Sequence, residues 1–187
     1  MKIIKSFKLF EVVQIPKMND VDILYDDNDQ DYKIIFLMKG EDIVGFVNEG
    51  MQTTTMEERD IHCIGSIWGP GYGDLLYALA ISKFGPIVPS ANVSDKAKES
   101  HKRRLDNDLF LKYKIKGIGV YYREEDYLNT IFDLDPETKQ FLRAKIQHND
   151  DKELSKRMLK MFLDKKNEMY RNFRDYYTIG KSKYKRF

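Results

Sequence analysis

Residues 59–84 read RDIHCIGSIW, then GPGYG, then DLLYALAISKF. A stretch rich in strand-forming residues meets three glycines within five positions, and an apolar run follows at once. Apolar residues cover nearly the whole circumference of the run after Gly73, so the spacing predicts a buried helix ending at Gly85-Pro86. A strand that turns directly into a buried helix requires a fold of mixed α and β character, with the helix laid over a sheet. The glycines themselves allow two readings. They form a turn, or they let the backbone at a helix start approach an anion. A Walker loop would end Gly-Lys-Ser/Thr, whereas this one ends Gly73-Asp74. A dinucleotide fingerprint would place its third glycine later and follow a parallel strand.

The flanking sequence supplies the sheet. YKIIFLM (32–38) and IVGFVNEG (43–50), joined by KGED, predict a hairpin, and IHCIGSI (61–67) a third strand. DDNDQD (26–31) reads as an acidic loop and QTTTMEERD (52–60) as a polar one. Residues 1–15 have mixed periodicity. Downstream, 86–90 is a short extended segment and Ser94 an N-cap for the polar helix DKAKESHKRR. LFLKYKIKGIGVYY (109–122) reads as two short strands. Asp135 caps a helix with Pro136 at its first position. In 151–177, Leu154, Met158, Met161, Phe162, Met169, Phe173 and Tyr176 recur at three- and four-residue steps, an amphipathic helix. Such a stripe packs on the protein's own core or serves as a face for a protein partner.

The chain of 187 residues carries a net charge of +2, unevenly spread. Residues 151–187 hold 12 Lys/Arg against 5 Asp/Glu, leaving 20 against 25 in residues 1–150. The basic end, with Tyr170, Phe173, Tyr176, Tyr177 and Tyr184, offers nucleic acid a stacking surface. Core packing of those aromatic residues and a solubilising tail are the simpler account, so nucleic acid ranks last among the partners. No apolar run spans a bilayer, so no membrane partner is expected. No leader is evident at the N-terminus, and Cys63 is alone. A reducing cytoplasm is the expected location. His62, His101, His148 and Cys63 show no metal-ligand spacing, so no metal is expected.

The order of hairpin, third strand, GPGYG, buried helix, short strand and polar helix resembles the GNAT (GCN5-related N-acetyltransferase) superfamily. GPGYGDLLYALA followed by SANVSDKAKESHKRRLDND is similar to acetyltransferase-like proteins of bacteriophages. The resemblance covers roughly residues 32–122. It implies an α+β fold with a mixed, mostly antiparallel sheet and a splayed central strand pair. It sets a GNAT-like domain at 1–123 and a helical extension with a basic tail at 124–187. In the family, the pantetheine arm of acetyl-CoA lies between the splayed fourth and fifth strands, here 61–67 and 86–90. Its diphosphate rests on the glycine loop. Carried over, the co-substrate site is Ile67, Trp68, Gly69, Gly71, Tyr72, Gly73, Asp74 and Leu75. Trp68 stands where the family has Gln or Arg, and His101 where it has the tyrosine that protonates the departing thiolate. A base comes from the neighbourhood of strand 61–67, with Glu57, Glu58, Asp60 and His62 as candidates, Glu58 and His62 foremost. On its charged helix, His101 is expected to be a surface side chain.

The resemblance thus implies transfer of an acetyl group from acetyl-CoA to an amine. A phage-encoded chain would act in the host cytoplasm. The alternative is a GNAT-like fold without chemistry, a structural or host-interaction protein, in which case the virion is a further location.

Overall fold

The structure is a computed structural model and describes residues 15, 17–56, 59–89, 94–114 and 130–183. Among these residues it is α+β, with four α-helices and a mixed, mostly antiparallel sheet. Strands β1 (Asp22–Asp26), β2 (Ile34–Lys39), β3 (Asp42–Met56) and β4 (Arg59–Trp68) pair antiparallel in succession. The short β7 (Gln147–His148) adds to β1 in parallel, giving the order β4-β3-β2-β1-β7. Strands β5 (Leu111–Lys114) and β6 (Thr130–Asp133) form an antiparallel pair. Ile87 links the two sheets, bridging His62 of β4 in parallel and Phe132 of β6 antiparallel.

Strand β2, IIFLMK, shows why the sheet is buried on both sides. Its first five residues are all buried, and their alternation sends them to opposite layers. Ile35 and Leu37 join Ile23 and Val47 beneath α1 (Gly73–Phe84), while Leu142 of α3 (Pro136–Lys145) closes the same layer. Ile34, Phe36 and Met38 join Phe46 beneath Met158 and Phe162 of α4 (Lys152–Lys183). The apolar stripe of α4 is thus the second layer of the core over its first half. Helix α1 is buried without a break from Leu75 to Ser82, as its all-round apolar sequence predicts. Arg143 of α3 donates from Nε and Nη2 to the Ser82 carbonyl at 3.0 and 2.7 Å, which satisfies the C-terminal end of α1.

Several local expectations hold. Ser94 accepts from the Ala97 N–H at the start of α2 (Asp95–Leu105). Asp135 accepts from the Thr138 N–H at the start of α3, with Pro136 at its opening. Others change. The polar stretch after residue 50 is strand through Met56, because Gln52, Thr54 and Thr55 find partners in His62, Ile61 and Asp60 of β4. Strand β1 had no counterpart in the pattern. Of the two strands read in 109–122, the structure has Leu111–Lys114, and the remainder lies outside the described residues. Helix α4 carries on past Gly180, where a tail was expected. The boundary at 123/124 falls between β5 and β6. Beyond it, β6 pairs with Ile87, β7 with β1, and α4 covers the sheet. Among the described residues, no helix is long and apolar enough to cross a membrane.

Candidate functional site

The glycine loop connects the C-terminal end of β4 to α1. Gly71 has φ +79°, a left-handed conformation that only glycine adopts without strain. The Tyr72 N–H turns back to the Gly69 carbonyl at 2.9 Å, so that amide is engaged within the loop. Leu76 makes the first intrahelical bond, to the Tyr72 carbonyl at 2.9 Å. No side chain of Tyr72 caps the helix, and the amides of Gly73, Asp74 and Leu75 precede the first intrahelical bond. Pro70 and Gly71 are exposed, so the loop lies at the surface.

Two cations frame it. Lys17, itself left-handed at φ 68°, brings its ammonium above the loop. A Cβ on Gly71 would stand 2.6 Å from Lys17 Nζ, and the same ammonium sits 5.3 Å from the Tyr72 ring centroid. Arg104 of α2 reaches the helix start from the other side, and only 3% of it is exposed. Its Nε donates to Asp74 Oδ1 at 2.9 Å and its Nη2 to the Gly73 carbonyl at 3.2 Å. Its guanidinium lies 4.2 Å from the Tyr77 ring centroid. Arg104 therefore neutralises the one carboxylate in the first turn of α1. The loop keeps a positive end.

The other expected site residues separate into backbone and side-chain contributors. Ile67 and Leu75 turn their side chains into the core beneath α1. Trp68 packs on the opposite face against Phe46, ring centroids 5.9 Å apart, with Lys165 Nζ 5.2 Å over it. All three thus meet the loop through backbone alone. Glu58 lies outside the described residues.

His62 occupies the junction of the two sheets. Its N–H donates to the Pro86 carbonyl and its carbonyl accepts from the Val88 N–H, both at 3.0 Å. Among the described residues, the parallel pairing of β4 with this segment is confined to that one bridge. Its ring Nδ1 is buried without a hydrogen bond. Glu49 Oε1 stands 3.5 Å away, within ion-pair reach, while its Oε2 meets Lys33 at 3.2 Å.

His101 is not the surface residue its charged neighbours suggested. It is buried, with its ring 5.7 Å from that of Tyr77 and its Nδ1 3.4 Å from Arg104 Nη1. Burial, reinforced by the Arg104 charge, pushes its imidazole down to about 3. In the folded state His101 therefore stays neutral where an unfolded histidine takes up a proton near 6.5. The unfolded chain binds more protons between these values, so the stability is complete above about pH 6.5 and falls as pH drops. Urea denaturation at pH 7 and pH 5 should show His101 removing about 2 kcal/mol over that interval. His101→Asn should flatten the profile by that amount, and an unchanged slope would refute the assignment.

Sequence reasoning missed Lys17, Glu49, Tyr77 and Arg104. Tyr77, Arg104 and Glu49 stand within the quoted segments, but their roles, like that of Lys17, come from tertiary packing and not from local spacing. Two surface concavities, of about 310 and 390 Å³, lie along α4 and at the start of β4, away from the glycine loop. Among the described residues, no three His, Cys, Asp or Glu side chains gather as metal ligands. Compared with protein-family models, curated proteins and solved structures, the chain matches none of them.

Proposed function

We propose that this chain binds a CoA thioester in the manner of the GNAT superfamily, with the pantetheine arm beside β4 and the diphosphate at the glycine loop. One observation carries the reading. Strand β4 and residues 86–88 run parallel and, among the described residues, meet at one bridge, His62–Ile87; β4 then leads straight into a helix start that its N-cap side chain does not cap. A strand pair that stops pairing leaves backbone groups free to bond a ligand's amides, and the helix start offers amides to its phosphates. Lys17 supplies a charge on the open side of the loop. A CoA diphosphate fits this chemistry: charge-assisted hydrogen bonds contribute about 1.5–3 kcal/mol each, and an exposed ammonium adds less than about 1 kcal/mol.

Acetyl transfer to an amine is the reaction the resemblance implies. A nitrogen–carbon bond forms, the carbon–sulfur bond breaks, and the thiolate takes a proton. His62, with its unbonded nitrogen beside Glu49, is the described candidate for the base. The buried and neutral state of His101 favours a second reading, in which the fold binds CoA without chemistry, because a histidine held neutral has no acidic proton to give. Release of free thiol from acetyl-CoA with a panel of amines separates the two.

Calorimetric titration with acetyl-CoA tests the binding itself. In Gly71→Val, a β-branched residue is forced into left-handed backbone and toward Lys17 Nζ. Its acetyl-CoA affinity should fall at least about a hundredfold, while the thermal midpoint drops by about 4–8 °C. Wild-type protein that binds no acetyl-CoA would refute the proposal. A destabilised variant with unchanged affinity would leave the loop a structural turn.

A further inference from the structure

Asn48, His62 and Tyr77 each bury a side-chain polar atom that has no hydrogen-bond partner. All three atoms lie along β4. Asn48 sits on β3 beside Gly65, where a Cβ would stand 2.6 Å from its Nδ2. His62 belongs to β4. Tyr77 reaches from α1 toward Cys63, whose thiol is close enough to act electrostatically on the hydroxyl.

Of the three, Tyr77 is the most enclosed. Its ring is held edge-on by Phe110 and Phe132, with centroids 5.7 and 5.8 Å away, and by His101 at 5.7 Å. The Arg104 guanidinium lies against the ring face. This ring is clamped on every side, yet its hydroxyl bonds to nothing. A buried hydroxyl left unbonded is destabilising, and a phenylalanine would fill the same space without that cost. The hydroxyl also stands at a particular place. It lies near Cys63, the residue of β4 after His62, while the ring packs on Phe132, the partner of Ile87. It therefore lies beside the bridge that joins β4 to residues 86–88 among the described residues.

We infer that the Tyr77 hydroxyl is the polar anchor for the thioester end of the bound CoA derivative, donating its proton to the thioester carbonyl oxygen. This rests on the CoA-binding reading above. Burial holds the phenol above its ordinary range, so it remains a hydrogen-bond donor at every working pH. His101 is in ring contact with it but has no proton of comparable use at Nδ1, which faces Arg104.

Tyr77→Phe tests the inference by a split between stability and affinity. Removing an unbonded hydroxyl should raise the thermal midpoint by about 2–6 °C. The same change should weaken acetyl-CoA binding about five- to tenfold, measured by calorimetry. ADP, which carries a diphosphate without the pantetheine arm, should bind the variant and the wild type alike. Unchanged acetyl-CoA affinity in the variant would overturn the inference and leave the CoA-binding reading standing. Equal losses for acetyl-CoA and ADP would also overturn it, because Tyr77 would then act through the glycine loop. A midpoint that falls would mean that the hydroxyl has a partner in the free protein, with the same consequence. Wild-type protein that binds neither probe would remove the reading and the inference together.

Discussion

Phe162→Ala should destabilise the protein by about 3–5 kcal/mol in equilibrium urea denaturation. The ring is fully buried on the face of the sheet opposite α1. Its centroid lies 5.1 Å from that of Phe46 and 5.2 Å from that of Tyr32, both in edge-to-face geometry. Edge-to-face pairs add about 0.5–1.5 kcal/mol beyond the area they remove from water. Truncation loses both pairs and opens a cavity between rigid strands that cannot collapse into it. Met169→Ala, on the same helix but 36% exposed, should change stability by no more than about 0.5 kcal/mol. A Phe162→Ala loss below about 1 kcal/mol would mean that α4 is not part of the cooperative core, and its stripe would then be free for a partner.

Arg104→Ala should cost about 3–5 kcal/mol, the range for removing one member of a buried ion pair. Its guanidinium holds Asp74, the Gly73 carbonyl and the Tyr77 ring at once. Asp74 keeps about a third of its side chain in water, so part of its charge is rehydrated when Arg104 is lost. The greater share of the loss lies in the cavity and in the bonds to the helix start. Arg103, adjacent in sequence but exposed, is the control: Arg103→Ala should stay within about 0.5 kcal/mol. Parallel urea titrations of the two variants measure the difference, and equal losses would refute the role given to Arg104. If the CoA reading is correct, Arg104→Ala also leaves Asp74 unpaired at the helix start and weakens acetyl-CoA binding, while Arg103→Ala does not.

Much of the fold was legible because it is specified locally. The two-residue connection at Gly40-Glu41, the caps at Ser94 and Asp135, and the stop at Gly85 each depend on residues within a few positions of one another. Backbone sterics and single hydrogen bonds decide them. The strand–glycine–helix junction was legible for the same reason, and its position at the end of β4 follows from it. The amphipathic period of α4 marked a face to be buried, though not what would bury it.

Tertiary structure decided the rest. DILYD became strand β1 because β2 lies on one side and β7, drawn from more than a hundred residues away, on the other. The threonine-rich stretch before Met56 became strand because β4 offered it partners, and polarity alone does not forbid a strand whose backbone is paired. The candidate site shows the division most clearly. The glycines that shape the loop lie within five consecutive positions of the sequence. The groups that set its charge are not: Lys17 arrives from the N-terminal side, and Arg104 from α2. His101 stands among lysines and arginines in the sequence, yet it is buried because Tyr77 packs against it. Backbone conformation is encoded by neighbours in sequence, whereas burial and charge pairing depend on which distant segments the collapsed chain brings together.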